Sequence, residues 1–136
     1  MVQALVPDAV LDLLARSEAE LLASTVAQDP SEAFVHAHLA ALRAGAALVQ
    51  ARGRPGPRSR ARTVWDMVTR AAPDLAEYAA YFAANAATRS AVEAGRTVVE
   101  QARAHRAATV AEQFLDAVRG LLDDGEVQGH LALRAS

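Results

Sequence analysis

The chain has 136 residues, enough for one hydrophobic core and too few for two. Hydrophobic types make up 52% of it and aromatic types only 4%, so its apolar content is mostly Ala, Leu and Val, a mixture that favours helices over strands. A formal charge of −2 excludes a strongly basic nucleic-acid binder on total charge, and the absence of Cys excludes disulfides, thiolate metal sites and Cys nucleophiles.

The first predicted helix runs from Asp8 to Ala27, after Pro7, with Asp8 near the positive end of the helix dipole. Val10, Leu14 and Leu21, flanked by Leu13 and Leu22, form its apolar stripe. Asp12, Arg16 and Glu20 recur every four residues on the other side, where neighbours pair as opposite charges. Asp29-Pro30-Ser31-Glu32 then supplies an N-cap acceptor, a Pro at the first helical position and a Glu three residues after the cap. The second helix reaches Ala51 with Val35, Leu39, Leu42, Ala46 and Val49 as its stripe, and folds back on the first as an antiparallel hairpin. Gly45 and the many Ala residues keep it thin, so that a neighbour can approach closely.

Residues 53–62 hold two Pro and two Gly within five positions and read as a loop. The charge is most uneven here. All 14 basic residues are Arg, and Arg52, Arg54, Arg58, Arg60 and Arg62 fall in an eleven-residue stretch without an acid. The remainder carries nine Arg against 16 acidic residues, so an acidic body bears one basic loop.

Thr63-Val64-Trp65-Asp66 is a second capping pattern and opens a short helix ending near Ala72. Pro73 opens the next, with Leu75, Tyr78, Ala79, Phe82 and Ala86 buried along it up to Gly95. Thr97-Val98-Val99-Glu100 reads as a third capping box for a last helix through Ala102, Val110, Phe114, Ala117 and Leu121. Gly125 is its expected stop, leaving a flexible tail at 126–136. The fold expected is all-α: an up-down bundle of four long helices spanning residues 8–124, with one short helix between two hairpins.

Few residues point to chemistry. His36 and His38 lie about 200° apart around a helix and cannot chelate one ion, since helical His pairs that do so sit three or four apart. His36 shares a face with Arg43 and Gln50 that reads as solvent, and His38 lies beside Leu42 and Val49 at the core boundary. Neither a metal nor another cofactor is expected, and no glycine-rich phosphate loop or nucleophile arrangement occurs. Tyr78, Tyr81, Asn85 and Arg89 form one stripe on the fourth helix, suited to a protein interface or a stacking surface, or else to a core tyrosine with a polar rim. The basic loop either binds phosphates through its arginines or is a solvated connection.

The segments FVHAHLAAL (34–42), the Arg/Pro-rich loop, TVWDM (63–67), Pro73 to Glu77 and YAAYFAA (78–84) together resemble the HEPN superfamily, and within it an actinobacterial branch, over Leu11 to Leu122. The resemblance implies a helical bundle that commonly dimerises and, in many members, a metal-independent ribonuclease. Those members carry an Arg and a His separated by four to six residues near the start of the last long helix. There the Arg neutralises phosphate charge and the His transfers protons. Here Arg96 stands in the expected place, but Gln101 occupies the His position and His105 lies nine residues beyond Arg96. Gln does not exchange a proton near neutral pH, so the ribonuclease motif is absent.

Three functions remain open. One is a catalytically silent HEPN-like module that binds RNA, DNA or a nucleoprotein partner through the basic loop, beside repair or translesion-polymerase machinery as the resemblance suggests. Another is a dimeric protein adaptor that uses the tyrosine-bearing face. The third is a ribonuclease with an unconventional Arg96, Gln101 and His105 arrangement. With no apolar run of 18 residues and no signal-peptide pattern, a cytoplasmic location without membrane contact is expected. An acidic body rich in small residues with an aromatic stripe leads to the further expectation of a homodimer burying the fourth or last long helix.

Overall fold

A computed structural model describes residues 6–53, 56, 58 and 60–135, with 125–135 described by backbone. Among these residues every regular element is helical: α1 (Asp8–Val26), α2 (Pro30–Arg52), α3 (Val64–Ala71), a 3-10 turn (Pro73–Leu75), α4 (Ala76–Glu93) and α5 (Gln101–Ala135). The expected all-α bundle is the fold observed.

α2 is the central helix. α1 and α5 lie closest to it, and α3 and α4 also rest on it. Its burial therefore runs most of the way round, through Phe34, Ala37, His38, Ala40, Ala41, Ala44, Ala47 and Leu48. This corrects the expected stripe, of which Val35, Leu39, Leu42 and Ala46 are only half-buried and Val49 is buried. Alanine gives a helix little amphipathic signal, so its buried face has to be read from its neighbours. Small groups also let α1 approach. Ser17 and Ser24 are buried on it and donate their hydroxyls to the α2 carbonyls of Ala40 at 2.7 Å and Ala33 at 2.8 Å. On the other side Gly45 admits α3, since a Cβ there would stand 3.2 Å from Val68 Cγ2.

All six aromatic residues join one cluster. Trp65 stacks on Phe82 at 5.2 Å and meets Phe114 at 5.8 Å, while Tyr78 and Tyr81 pack on Phe114 and Phe82 at 5.6 and 5.0 Å. Phe34 reaches the cluster through His38. α4 and α5 thus meet mainly through side chains, and the second hairpin is looser than the first.

The helix ends follow their capping chemistry in two of three cases. Asp29 accepts the Ser31 N–H at the start of α2. Thr63 and Asp66 exchange both capping bonds at the start of α3, and the Arg62 and Thr63 N–H groups hold the Asp66 carboxyl below its ordinary pKa. The third box does not form. α5 begins at Gln101, and Thr97–Glu100 is an irregular link in which Val99 is buried with its N–H on Ser31 Oγ at 3.1 Å. Burying Val99 against the start of α2 outweighs the cap, and Ala102, expected in the core, is exposed. α4 ends in a Schellman turn: the Gly95 and Arg96 N–H groups bond the Val92 and Ala91 carbonyls, with Gly95 at φ 74°.

α5 does not stop at Gly125 but continues to Ala135. A glycine costs a helix only about 1 kcal/mol relative to alanine, and the residues beyond it are mostly good helix formers with no Pro.

Candidate functional site

The stripe on α4 separates into two parts. Tyr78 is half-buried against Phe114 and belongs to the core. Tyr81 and Asn85 face α5, which adds two residues that sequence reasoning missed, Arg103 and Arg106. Arg103 Nη2 donates to Asn85 Oδ1 at 2.8 Å and to Thr88 Oγ1 at 3.0 Å, and its guanidinium lies 5.4 Å from the Phe34 ring centroid. Asn85 is itself oriented, because its Nδ2 donates to the Tyr81 carbonyl at 2.8 Å. Arg106 sits 5.8 Å from the Tyr81 ring centroid. Arg89 is paired with Glu93 at 2.7 Å, one turn further along α4.

The electrostatics follow from the partners. Arg103 is held by two uncharged oxygens, so its geometry is fixed while its charge is not neutralised. Arg106 has no carboxylate within ion-pair distance among the described residues. Burial pushes the Tyr81 hydroxyl above its ordinary pKa, and Arg106 and Arg103 oppose that shift. The face therefore presents an oriented guanidinium and a second one held against the Tyr81 side chain. Guanidinium groups beside an aromatic ring are chemically suited to an anion carried by a planar or phosphorylated group.

Beneath this face lies His38, which is only 2% exposed and so is buried, not at the core boundary as expected. Its Nδ1 bonds the Phe34 carbonyl at 3.2 Å, its Nε2 has no partner, and burial lowers its pKa to about 4. Neutral imidazole here is a core group between Phe34 and Phe82. His36, read as facing solvent, instead meets Glu20 of α1 at 2.7 Å, while Arg16 pairs with Asp12 at 3.0 Å. Two helices pack where one helix alone suggested an open face. Among the described residues no group of three His, Asp or Glu converges as a metal site.

The remaining candidates lie apart. Arg96 is exposed in the α4–α5 link. Gln101 and His105, also exposed, line a cleft of about 160 Å³ with Ser24, Thr25 and Gln28, and Arg96 is not among its walls. Of the basic-loop arginines, Arg52 donates to the Ala71 carbonyl at 3.1 Å, Arg58, Arg60 and Arg62 are exposed, and Arg54 lies outside the described residues. The loop follows the C-terminus of α2, roughly 20 Å along that helix from His38, and is thus a basic element separate from the α4–α5 face.

Arg103 and Arg106 had a signal in the sequence. Asn85 and Arg103 stand equally far from Ala94, so folding α4 and α5 back about the Gly95 turn pairs them. Reading each helix face separately hides that pairing.

Fold and site together define an all-helical bundle with an arginine-rich polar face on its last two helices. More particularly, the chain belongs to the SAV_6107-like HEPN family, whose model matches residues 24–119, well over half of its length. Neither a curated protein nor a solved structure is significantly similar to it. No helix among the described residues is long and apolar enough to cross a membrane.

Proposed function

We propose that this HEPN protein is a binding module without ribonuclease chemistry, and that its nucleic-acid contact is the α4–α5 face. The observation that carries this is Arg103, fixed by Asn85 and Thr88 yet left with its full charge beside Tyr81 and Arg106. A guanidinium held in this way has lost its rotamer freedom before a phosphate arrives, so less ordering opposes binding. The same groups contain no evident general base: His38 is buried, and His105 lines the cleft with Ser24 and Gln28, whose walls include no arginine. The basic loop serves as a second electrostatic foothold, which lets one strand run along the bundle in place of docking at a single point. Titration of a short single-stranded oligonucleotide into isotope-labelled protein tests the reading. The Asn85 side-chain amide and the Arg103 and Arg106 side-chain signals should shift first. Shifts confined to the loop would move the contact there.

A second reading, the dimeric protein adaptor, rests on a different observation. Leu11, Leu22 and Val26 of α1 are exposed by 51%, 64% and 68%, more apolar surface than a helix in solvent needs. In this reading two copies pair without nucleic acid. Light scattering across tens of micromolar, with and without an oligonucleotide, separates the two.

A further inference from the structure

We infer that the groove between α1, α2 and α3 is a docking surface for an acidic amphipathic helix of a partner protein. The groove encloses about 340 Å³ and is lined by Leu13, Ala46, Val49, Gln50, Val64 and Met67. Five of its six walls are aliphatic or thioether, and Leu13, Ala46, Val64 and Met67 are only half-buried. Its volume lies within the range of about 300–1,000 Å³ common to binding pockets.

The charge around it identifies the occupant. Arg43 stands one turn before Ala46, Arg70 one turn after Met67 and Arg16 one turn after Leu13, each at the three-residue spacing that keeps it on the same side of its helix. Arg16 is paired with Asp12 and Arg70 acts on the Asp66 carboxylate from beyond ion-pair distance, while Arg43 has no carboxylate within that distance among the described residues. Arg62 adds a further exposed cation just before α3, where the Asp66 carboxylate is taken up by the backbone N–H groups of Arg62 and Thr63. A chain with more acids than bases thus rims one apolar groove with cations. A segment that fills it must offer aliphatic side chains at helical spacing and carboxylates on either side. Nucleic acid offers phosphate charge for the rim but nothing to fill the groove, whose lining has no ring on which a base could stack. The surface is also distinct from the α4–α5 face and shares only Arg62 with the basic loop, so it adds a protein partner to the nucleic-acid reading and does not depend on it.

The probe is a labelled peptide of about 18 residues, five turns of helix, with leucines along one face and glutamates on the others. Fluorescence anisotropy should give a dissociation constant on the order of 10 µM that weakens as salt is added. Replacing the peptide's glutamates by glutamine should weaken binding at least tenfold. So should Met67→Glu, which puts a like charge in the groove, and the Arg43→Gln, Arg70→Gln double variant, which leaves the groove apolar. Circular dichroism melts of both variants establish that the bundle is intact, and the surface double variant keeps the test valid if Met67→Glu does not fold. Absence of binding overturns the inference. Equal affinity for the double variant does so as well, and so does an oligonucleotide that displaces the peptide through Arg43 and Arg70 while being indifferent to Met67→Glu.

Discussion

Arg103 and Asn85 meet at 2.8 Å across the junction of the last two helices, and the acceptor is an amide oxygen, not a carboxylate. That choice fixes the direction of the guanidinium and leaves its charge available. Asn85→Leu should therefore loosen Arg103 without removing a positive charge. The expected loss in oligonucleotide affinity is about three- to tenfold, the worth of roughly one hydrogen bond, with the slope of affinity against salt unchanged. A variant that changes the slope would mean that Asn85 does more than orient Arg103.

Purified protein should not cleave single-stranded RNA above a buffer control. Arg96, Gln101 and His105 are all exposed, and only the last two share a cleft. Turnover that vanishes in Arg96→Ala or His105→Ala would contradict this and restore the ribonuclease.

His38 makes stability depend on pH. Its pKa falls from the ordinary 6.5 to about 4 on folding, because burial disfavours the cation. The unfolded chain therefore takes up a proton between these two values while the native state does not. Stability is complete above pH 6.5 and declines as pH falls towards 4, by up to about 3 kcal/mol. Urea melts of wild type and His38→Leu at pH 7, 5.5 and 4.5 should show that the variant loses this part of the pH dependence. Parallel pH curves would show that His38 does not titrate as described.

Ser31→Ala should destabilise the fold by about 1–3 kcal/mol, the cost of leaving a buried backbone donor without a partner. The Val99 N–H bonds the Ser31 hydroxyl at 3.1 Å, and Val99 is 7% exposed. Denaturant melts measure this directly, and a change below about 0.5 kcal/mol, typical of a surface site, would mean that water replaces the hydroxyl.

Changing Arg52, Arg54, Arg58, Arg60 and Arg62 together to Gln should weaken oligonucleotide binding through its salt-dependent part. The shifts at Asn85, Arg103 and Arg106 should remain. Loss of those shifts as well would make the loop the principal contact and the α4–α5 face a bystander.

Much of the fold was legible because punctuation and composition agreed. Asp29-Pro30 and Thr63 through Asp66 started helices as their capping chemistry demands, and Gly95 ended one. Thr97 through Glu100 has the same local pattern and starts none, because the contact of Val99 with Ser31 joins residues 68 positions apart, which no local pattern records. The buried face of α2 was hidden for a related reason: alanine packs against four neighbours as readily as against one. Of the polar face, the α4 half was visible as a stripe. Its α5 half required setting Arg103 against Asn85 across a turn, and the burial of His38 between Phe34 and Phe82 required the whole aromatic cluster.

The most direct test of the central claim is the salt dependence of single-stranded oligonucleotide affinity for wild type and for the Arg103→Gln, Arg106→Gln double variant. Each phosphate neutralised contributes about 0.7 to the slope of log affinity against log salt for a single strand. The account predicts that the double variant binds at least tenfold more weakly in low salt, with a slope shallower by about 1.4, and that its bundle remains folded in circular dichroism. Equal affinities and equal slopes would contradict it, and would leave the arginines of the α4–α5 face without the nucleic-acid role assigned to them.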